Sequence, residues 1–351
     1  MIYRTLIRPL VFRFDSETVH HLAVRSGKLP GVAGVCRALY HYADPGLATE
    51  VFGLKFASPV GLSAGFDKNC EIVPTLAALG FSHIELGSVT AAAQPGNPRP
   101  RIFRLPEDGA LINRMGFPSV GVDVFAPRLR QVYGSTPAVI GVNIGKTKVV
   151  PIDAALVDYV ATFTRVRESA DYFVLNVSSP NTPELRKLQE RDRLTALLQG
   201  VQAHNPEKKP LLVKIAPDLS WAEIDAVLLS CNDADVAGII ATNTTFSRAG
   251  LRQAIDEVGG LSGAPLHSRA VEIVRYITTQ TAGKLPVIGV GGVFSAADVI
   301  DFLRAGASLV QLYTGLIYRG PAIVREINCG LSRYLAQEGL KSIAEIKSKM
   351  L

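Results

Sequence analysis

The chain has 351 residues, 48% of them hydrophobic and 19% charged, with a formal net charge of +6. That length holds one α/β barrel of about 250 residues and an appended piece. Cys36, Cys70, Cys231 and Cys329 lie far apart with no C-x-x-C pair, and no apolar run approaches about 18 residues, so a disulfide framework, a zinc site, a secretory signal and a transmembrane span are all unexpected.

Residues 1–42 carry Arg4, Arg8, Arg13, Arg25, Lys28 and Arg37 against Asp15 and Glu17. Tyr3, Leu6, Ile7, Leu10, Val11 and Phe14 recur at helical spacing, giving an apolar stripe beside a basic flank. Such a stripe suits a helix lying on a membrane surface and equally one packed on the rest of the molecule. Pro9 interrupts a continuous helix, so either a kink or a start near Pro9 is expected. Asp15 or Ser16 caps a second helix to about Ser26, and Pro30 with Gly31 separates it from a third ending near Tyr42. Residues 50–58 and 100–112 read as small hairpins or extended excursions.

Eight apolar runs then follow: Pro59 to Ala64, Ser82 to Ser88, Pro137 to Asn143, Asp171 to Asn181, Pro210 to Ala216, Val236 to Asn243, Leu285 to Gly292 and Ser308 to Gly315. Six of the eight end on Asn, Ser or Gly, and Lys or Thr stands close to the end of some. Helical patterns alternate with them over Asn69 to Leu79, Pro151 to Arg167, Asp192 to His204, Ser220 to Ser230, Ser268 to Thr281, Ser295 to Ala305 and Ala322 to Glu338. Strand alternating with helix gives a parallel sheet, and eight such strands give a (β/α)8 TIM barrel with a small N-terminal helical extension. Polar residues at the strand ends place a site at one mouth of it. Thr244 to His267 is long for a βα loop, the kind that builds or covers such a site.

The last two runs end in Gly289-Val290-Gly291-Gly292 and Tyr313-Thr314-Gly315, where barrels commonly hold a phosphate on backbone N–H groups. Lys214 closes an otherwise apolar run and needs an anion, either a reduced flavin ring or a neighbouring carboxylate such as Glu85. Asn143, Asn176, Asn181 and Asn243 add amides, which offer both donors and acceptors to a planar ring.

The stretches AGFDK (Ala64 to Lys68), GNPRPRIFRLPED (Gly96 to Asp108), NRMGF (Asn113 to Phe117), NVSSPNTP (Asn176 to Pro183), VKIAPD (Val213 to Asp218), ATNTT (Ala241 to Thr245), GGLSG (Gly259 to Gly263), GVGG and YTG together resemble the quinone-dependent, class 2 dihydroorotate dehydrogenases. The match runs in order over essentially the whole chain. It implies oxidation of (S)-dihydroorotate to orotate in pyrimidine biosynthesis, with FMN as cofactor and a membrane quinone as acceptor. FMN contacts are implied for Ala64, Gly65, Phe66, Asp67, Lys68, Ser88, Asn143, Asn176, Lys214, Thr242, Gly263, Gly292, Tyr313 and Thr314. Substrate contacts are implied for Lys68, Asn113, Arg114, Met115, Gly116, Phe117, Asn176, Asn181, Asn243 and Thr244. Ser179 aligns with the catalytic base, where the class 1 enzymes carry Cys. His20, Arg104 and Tyr313 match positions near the quinone tunnel.

Serine is a weak base, so a relay through Thr182 or a water near Phe117 is expected to take the proton onward. Two departures from the family pattern stand out: Pro118-Ser119 after NRMGF, and Glu184 where a Gly is usual. The resemblance divides the chain into a helical membrane and quinone-access segment, 1–42, and a catalytic barrel, 43–351. It implies a peripheral protein on the cytoplasmic face of a bacterial inner membrane, a monomer, without metal or nucleic acid. Deleting residues 1–42 is expected to abolish quinone reduction and spare flavin reduction. A flavin barrel that reduces uridines in tRNA would need a general-acid Cys and an RNA-binding domain, neither of which is recognised here. A barrel that serves only as a membrane scaffold would not need Lys68, Asn113, Ser179, Lys214 and Asn243 together.

Overall fold

The computed structural model describes residues 2–252 and 255–348. Numbered in chain order, its strands are β1 (Thr49–Val51), β2 (Leu54–Phe56), β3 (Val60–Leu62), β4 (His83–Val89), β5 (Ile102–Leu105), β6 (Ala110–Asn113), β7 (Val139–Ile144), β8 (Tyr172–Asn176), β9 (Leu211–Ile215), β10 (Gly238–Ala241), β11 (Gly260–Gly263), β12 (Val287–Val290) and β13 (Leu309–Leu312). The strands β3, β4, β7, β8, β9, β10, β12 and β13 pair in parallel in that order, and β13 closes onto β3. All eight apolar runs are therefore barrel strands, and the TIM barrel expected from the sequence is present.

Side chains alternate across a strand, and this alternation builds two cores. Ile140, Phe173, Leu175, Val213, Ile239, Val287 and Val310 point outward and pack with the surrounding helices. Val139, Val174, Leu212, Ile240, Ile288 and Leu309 point inward, where they meet Tyr172, Val51 and Phe56. The β1–β2 hairpin thus fills the N-terminal end of the barrel. Two residues further along β8 and β9, the inward positions are Asn176 and Lys214, so the same alternation that fills the lower core delivers polar groups to the mouth. Glycines make room where the inward side chains are largest: a Cβ on Gly141 would lie 2.1 Å from the Tyr172 ring, and one on Gly61 would lie 2.1 Å from His83.

The expected helices are observed at Val73–Ala78, Ala155–Val166, Arg191–Gln202, Trp221–Asp233, His267–Gln280, Ala296–Arg304 and Ile323–Glu338. The first starts later than its sequence pattern suggests, because the Asp67 carboxylate takes the backbone N–H groups of Glu71 and Ile72 and holds residues 67–72 in a loop. A helix at Val122–Val132 escapes sequence reading because Pro127 lies inside it. Both hairpins form, and β11, from the long loop after β10, joins β6 and β5 in a three-stranded antiparallel sheet over the mouth.

At the N-terminus a wide turn, Tyr3–Ile7, runs into a short helix, Arg8–Val11, with Pro9 in its first turn. The irregularity falls where proline removes an N–H donor. Asp15 caps the helix Ser16–Gly27 by accepting the Thr18 N–H at 2.8 Å. The third helix, Val32–Tyr40, ends two residues short of the expected Tyr42.

Candidate active site

Lys214 of β9 and Glu85 of β4 face each other inside the barrel, with Lys214 Nζ 3.2 Å from Glu85 Oε1 and 3.0 Å from Ser63 Oγ. Both side chains are at most 5% exposed. Removing one partner of such a pair costs about 3–5 kcal/mol, because the other charge is left buried and unpaired. The carboxylate is one of the two partners considered for Lys214, and the ammonium still lines the cavity above it.

A chain of amides and hydroxyls continues from this pair. Asn143 donates to Glu85 Oε1 at 2.5 Å, and Ser88 donates to Asn143 Oδ1. Asn176 donates to Ser88 Oγ at 3.1 Å and to Asn143 Oδ1 at 3.2 Å. Asn243 reaches Asn176 Oδ1 at 3.3 Å and Ser178 Oγ at 2.9 Å. Ser178, fully buried, donates in turn to Asn176 Oδ1 at 3.1 Å. Every amide dipole is fixed by its neighbour, so the wall facing the cavity is set before anything binds.

A second side of the cavity is assembled from two loops. Asn113, at the end of β6, accepts from Asn181 Nδ2 at 3.2 Å. The Asn181 N–H points to Ser179 Oγ at 3.3 Å, and Ser179 itself is 6% exposed and lines the cavity. Thr182 Oγ1, nearby in sequence, is buried without a hydrogen-bond partner. Across the cavity, Lys68 donates to the Gly65 carbonyl at 2.6 Å. Burial lowers the Lys68 pKa to about 8, with attraction from Glu17 opposing.

Three glycine-bearing loops meet at the far end. A Cβ on Gly292 would lie 3.0 Å from the Gly263 carbonyl, and one on Gly315 would lie 2.1 Å from the Val293 carbonyl. Only glycine allows this approach of backbone to backbone. Ser262 and Thr314 pair their hydroxyls at 2.9 Å above them.

Nineteen of the expected positions line this one cavity: Ala64, Gly65, Lys68, Ser88, Asn113, Met115, Gly116, Phe117, Asn176, Ser179, Asn181, Lys214, Thr242, Asn243, Thr244, Gly263, Gly292, Tyr313 and Thr314. The others stand behind it. Asn143 supports Ser88 and Asn176. Asp67 is spent on the loop described above. Arg114 turns outward to Glu257 and lies over the Phe103 ring, 4.6 Å from its centroid. Sequence reading missed Ser63, Ser178 and Ser262.

A family model for dihydroorotate dehydrogenases matches residues 46–335. A Gloeobacter violaceus dihydroorotate dehydrogenase (quinone) is 50% identical over 98% of this chain and 98% of its own length. The chain belongs to the dihydroorotate dehydrogenase family. Its Roseiflexus relative, also named dihydroorotate dehydrogenase (quinone), is 48% identical over 99% of this chain and 98% of its own. The crystal structure of Eimeria tenella DHODH in complex with ferulenol superposes with a TM-score of 0.88 at 36% identity, covering 95% of this chain and 94% of that one.

The three residues expected near a quinone fall in two places. His20 packs edge-on against Phe66, with ring centroids 5.1 Å apart, and Phe66 packs on Tyr313 at 6.0 Å. Burial lowers the His20 pKa to about 3, so the ring is neutral at physiological pH. Arg104 instead donates to the Phe14 carbonyl at 2.8 Å and lies over the Phe12 ring at 4.6 Å, holding the end of the first helical segment.

Proposed function

We propose that FMN binds across the barrel mouth and that the enzyme oxidises (S)-dihydroorotate to orotate there, with a membrane quinone as final acceptor. The observation that carries this is the convergence of Lys68, the asparagine amides, Ser179 and the glycine loops on one cavity. The donor set fits the cofactor: Lys214 offers a cation, Asn176 a fixed amide, and Gly263, Gly292 and Thr314 a close-packed cradle for a phosphate. Bound there, FMN supplies a two-electron acceptor for the hydride from substrate C6.

The remaining work falls to the chain. Asn113, Asn181 and Asn243 orient the substrate ring through their amides, and Lys68 holds its carboxylate. Ser179 takes the proton from C5. Thr182, whose buried hydroxyl has no other partner, is the next acceptor on the way out.

Residues 1–42 act as a quinone-access and membrane segment, and 43–351 as the catalytic barrel. What supports this is the outward face of the helices: Ile2, Leu6, Leu10, Phe14, Leu22, Leu29, Val35 and Leu39 are 56–69% exposed, with Arg13, Arg25 and Arg37 exposed among them. No helix among the described residues is long and apolar enough to cross a membrane. The reading has these helices lie on the surface of a bacterial inner membrane, at its cytoplasmic face. The His20–Phe66–Tyr313 contact supports a quinone approach between these helices and the cofactor. The enzyme works as a monomer in this reading.

Anaerobic mixing with dihydroorotate, followed by a soluble quinone, tests the whole reading. Bleaching of flavin absorbance and its recovery are the expected result. A yellow protein that fails to bleach would overturn the substrate assignment.

A further inference from the structure

Glu17 is the one carboxylate of the helix Ser16–Gly27, and it is 5% exposed. It is met by Arg101, itself 6% exposed, through Arg101 Nε at 3.0 Å and Nη2 at 2.6 Å. A two-bond fork between buried partners fixes distance and orientation together. The remaining guanidinium nitrogen, Nη1, donates to the Pro95 and Asn97 carbonyls at 2.7 and 2.8 Å. One side chain therefore ties the N-terminal helix to the loop 94–101.

Asn97 carries the connection onward. Its backbone N–H donates to the Met115 carbonyl at 2.9 Å, and its amide donates to the Arg114 and Asn181 carbonyls at 3.0 and 3.2 Å. A Cβ on Gly116 would lie 2.6 Å from the Asn97 side-chain amide, so that amide packs directly against the Gly116 backbone. Met115, Gly116 and Asn181 line the cavity, and Asn181 is the neighbour of Ser179 Oγ. The path from Glu17 to both substrate loops has no gap.

We propose that Glu17, acting through Arg101 and Asn97, is a positioning residue for the dihydroorotate subsite. The N-terminal helix thereby sets the geometry of the first half-reaction as well as serving the second. This rests on the reading that Asn113–Phe117 and Asn181 contact substrate. Coupling carried by such a contiguous network is reciprocal, so what disturbs the helix loosens substrate and bound substrate stiffens the helix.

The test uses the full-length holoenzyme and orotate, with binding read from the perturbation of flavin absorbance. Glu17→Gln and Asn97→Ala are each expected to weaken orotate by about 3- to 30-fold without lowering FMN content. The double variant is expected to be no weaker than the worse single one, since both cut the same path. Thr75→Val is the control: it removes the 2.7 Å bond from Thr75 Oγ1 to the Gly27 carbonyl, which holds the same helix without touching the loop 94–101. Orotate bound by Glu17→Gln as tightly as by wild type would overturn the proposal. So would an equal loss in Thr75→Val, or fully additive losses in the double variant. A wild-type enzyme that ignores orotate would instead sink the substrate reading beneath it.

Discussion

Ser179 and Lys68 line the cavity from different loops, and their surroundings predict different behaviour in the proposed reaction. The Ser179 hydroxyl is held by the Asn181 N–H rather than by an imidazole or carboxylate, so its basicity has to come from its position and a relay. Ser179→Ala is expected to slow flavin reduction by dihydroorotate about 10²- to 10⁴-fold, read by anaerobic stopped flow, with FMN retained. Lys68 is charged below its pKa of about 8 and neutral above it. An anionic carboxylate binds the charged form, so orotate affinity should be level below that pH and fall as pH rises through it. Titration of orotate binding against pH checks this, and Lys68→Met should bind weakly at every pH with that inflection gone. Of the pair Ser178 and Ser179, the sequence pointed to one. Neighbouring residues face opposite ways, and only the folded loop reveals that Ser178 joins Asn176 to Asn243.

At the scale of elements, the barrel strands were legible because most are apolar runs with a polar residue or glycine at or near the end. The helix Val122–Val132 was not, since an internal proline is a local signal for a break that tertiary packing overrides. The pairing of β11 with β6 joins residues 110–113 to 260–263, and no local pattern encodes so distant a register. The same holds for Glu17 and Arg101, 84 positions apart. Glu184, where the family favours glycine, sits at φ +56, the left-handed region in which glycine is unstrained; its side chain pairs with Lys187 at 2.6 Å on the surface. The Glu17 path revises one expectation. Deleting residues 1–42 would take the Glu17 carboxylate from Arg101 and release the loop 94–101, and so should impair both half-reactions. Deleting residues 1–14 keeps Glu17 and the Asp15 cap, and should impair quinone reduction while sparing flavin reduction. Separate assays of the two half-reactions distinguish these outcomes.

For the molecule as a whole, the basic, apolar face of the N-terminal helices predicts attachment to lipid. Full-length enzyme should co-sediment with anionic phospholipid vesicles. Leu6→Glu combined with Leu10→Glu should weaken this about a hundredfold or more, since each leucine loses about 1.5–3 kcal/mol of burial. Unchanged sedimentation would instead place that stripe against some other partner. The composition of the chain carried the sign of this face but not its exposure, which depends on how the helices dock.

The hairpin that fills the lower end of the barrel has a consequence for traffic. With Phe56 and Val51 packed into that end, the barrel is a vessel closed, among the described residues, beneath its Lys214–Glu85 floor. On the proposed reading, reductant and oxidant are then both served from the opposite rim, one past the loops that hold Asn113 and Asn181 and the other past the N-terminal helices. Such a layout favours alternation: electrons are lodged in the vessel by one visitor and collected later by another, and neither has to meet the other. Initial-rate plots at varied concentrations of both should then run parallel.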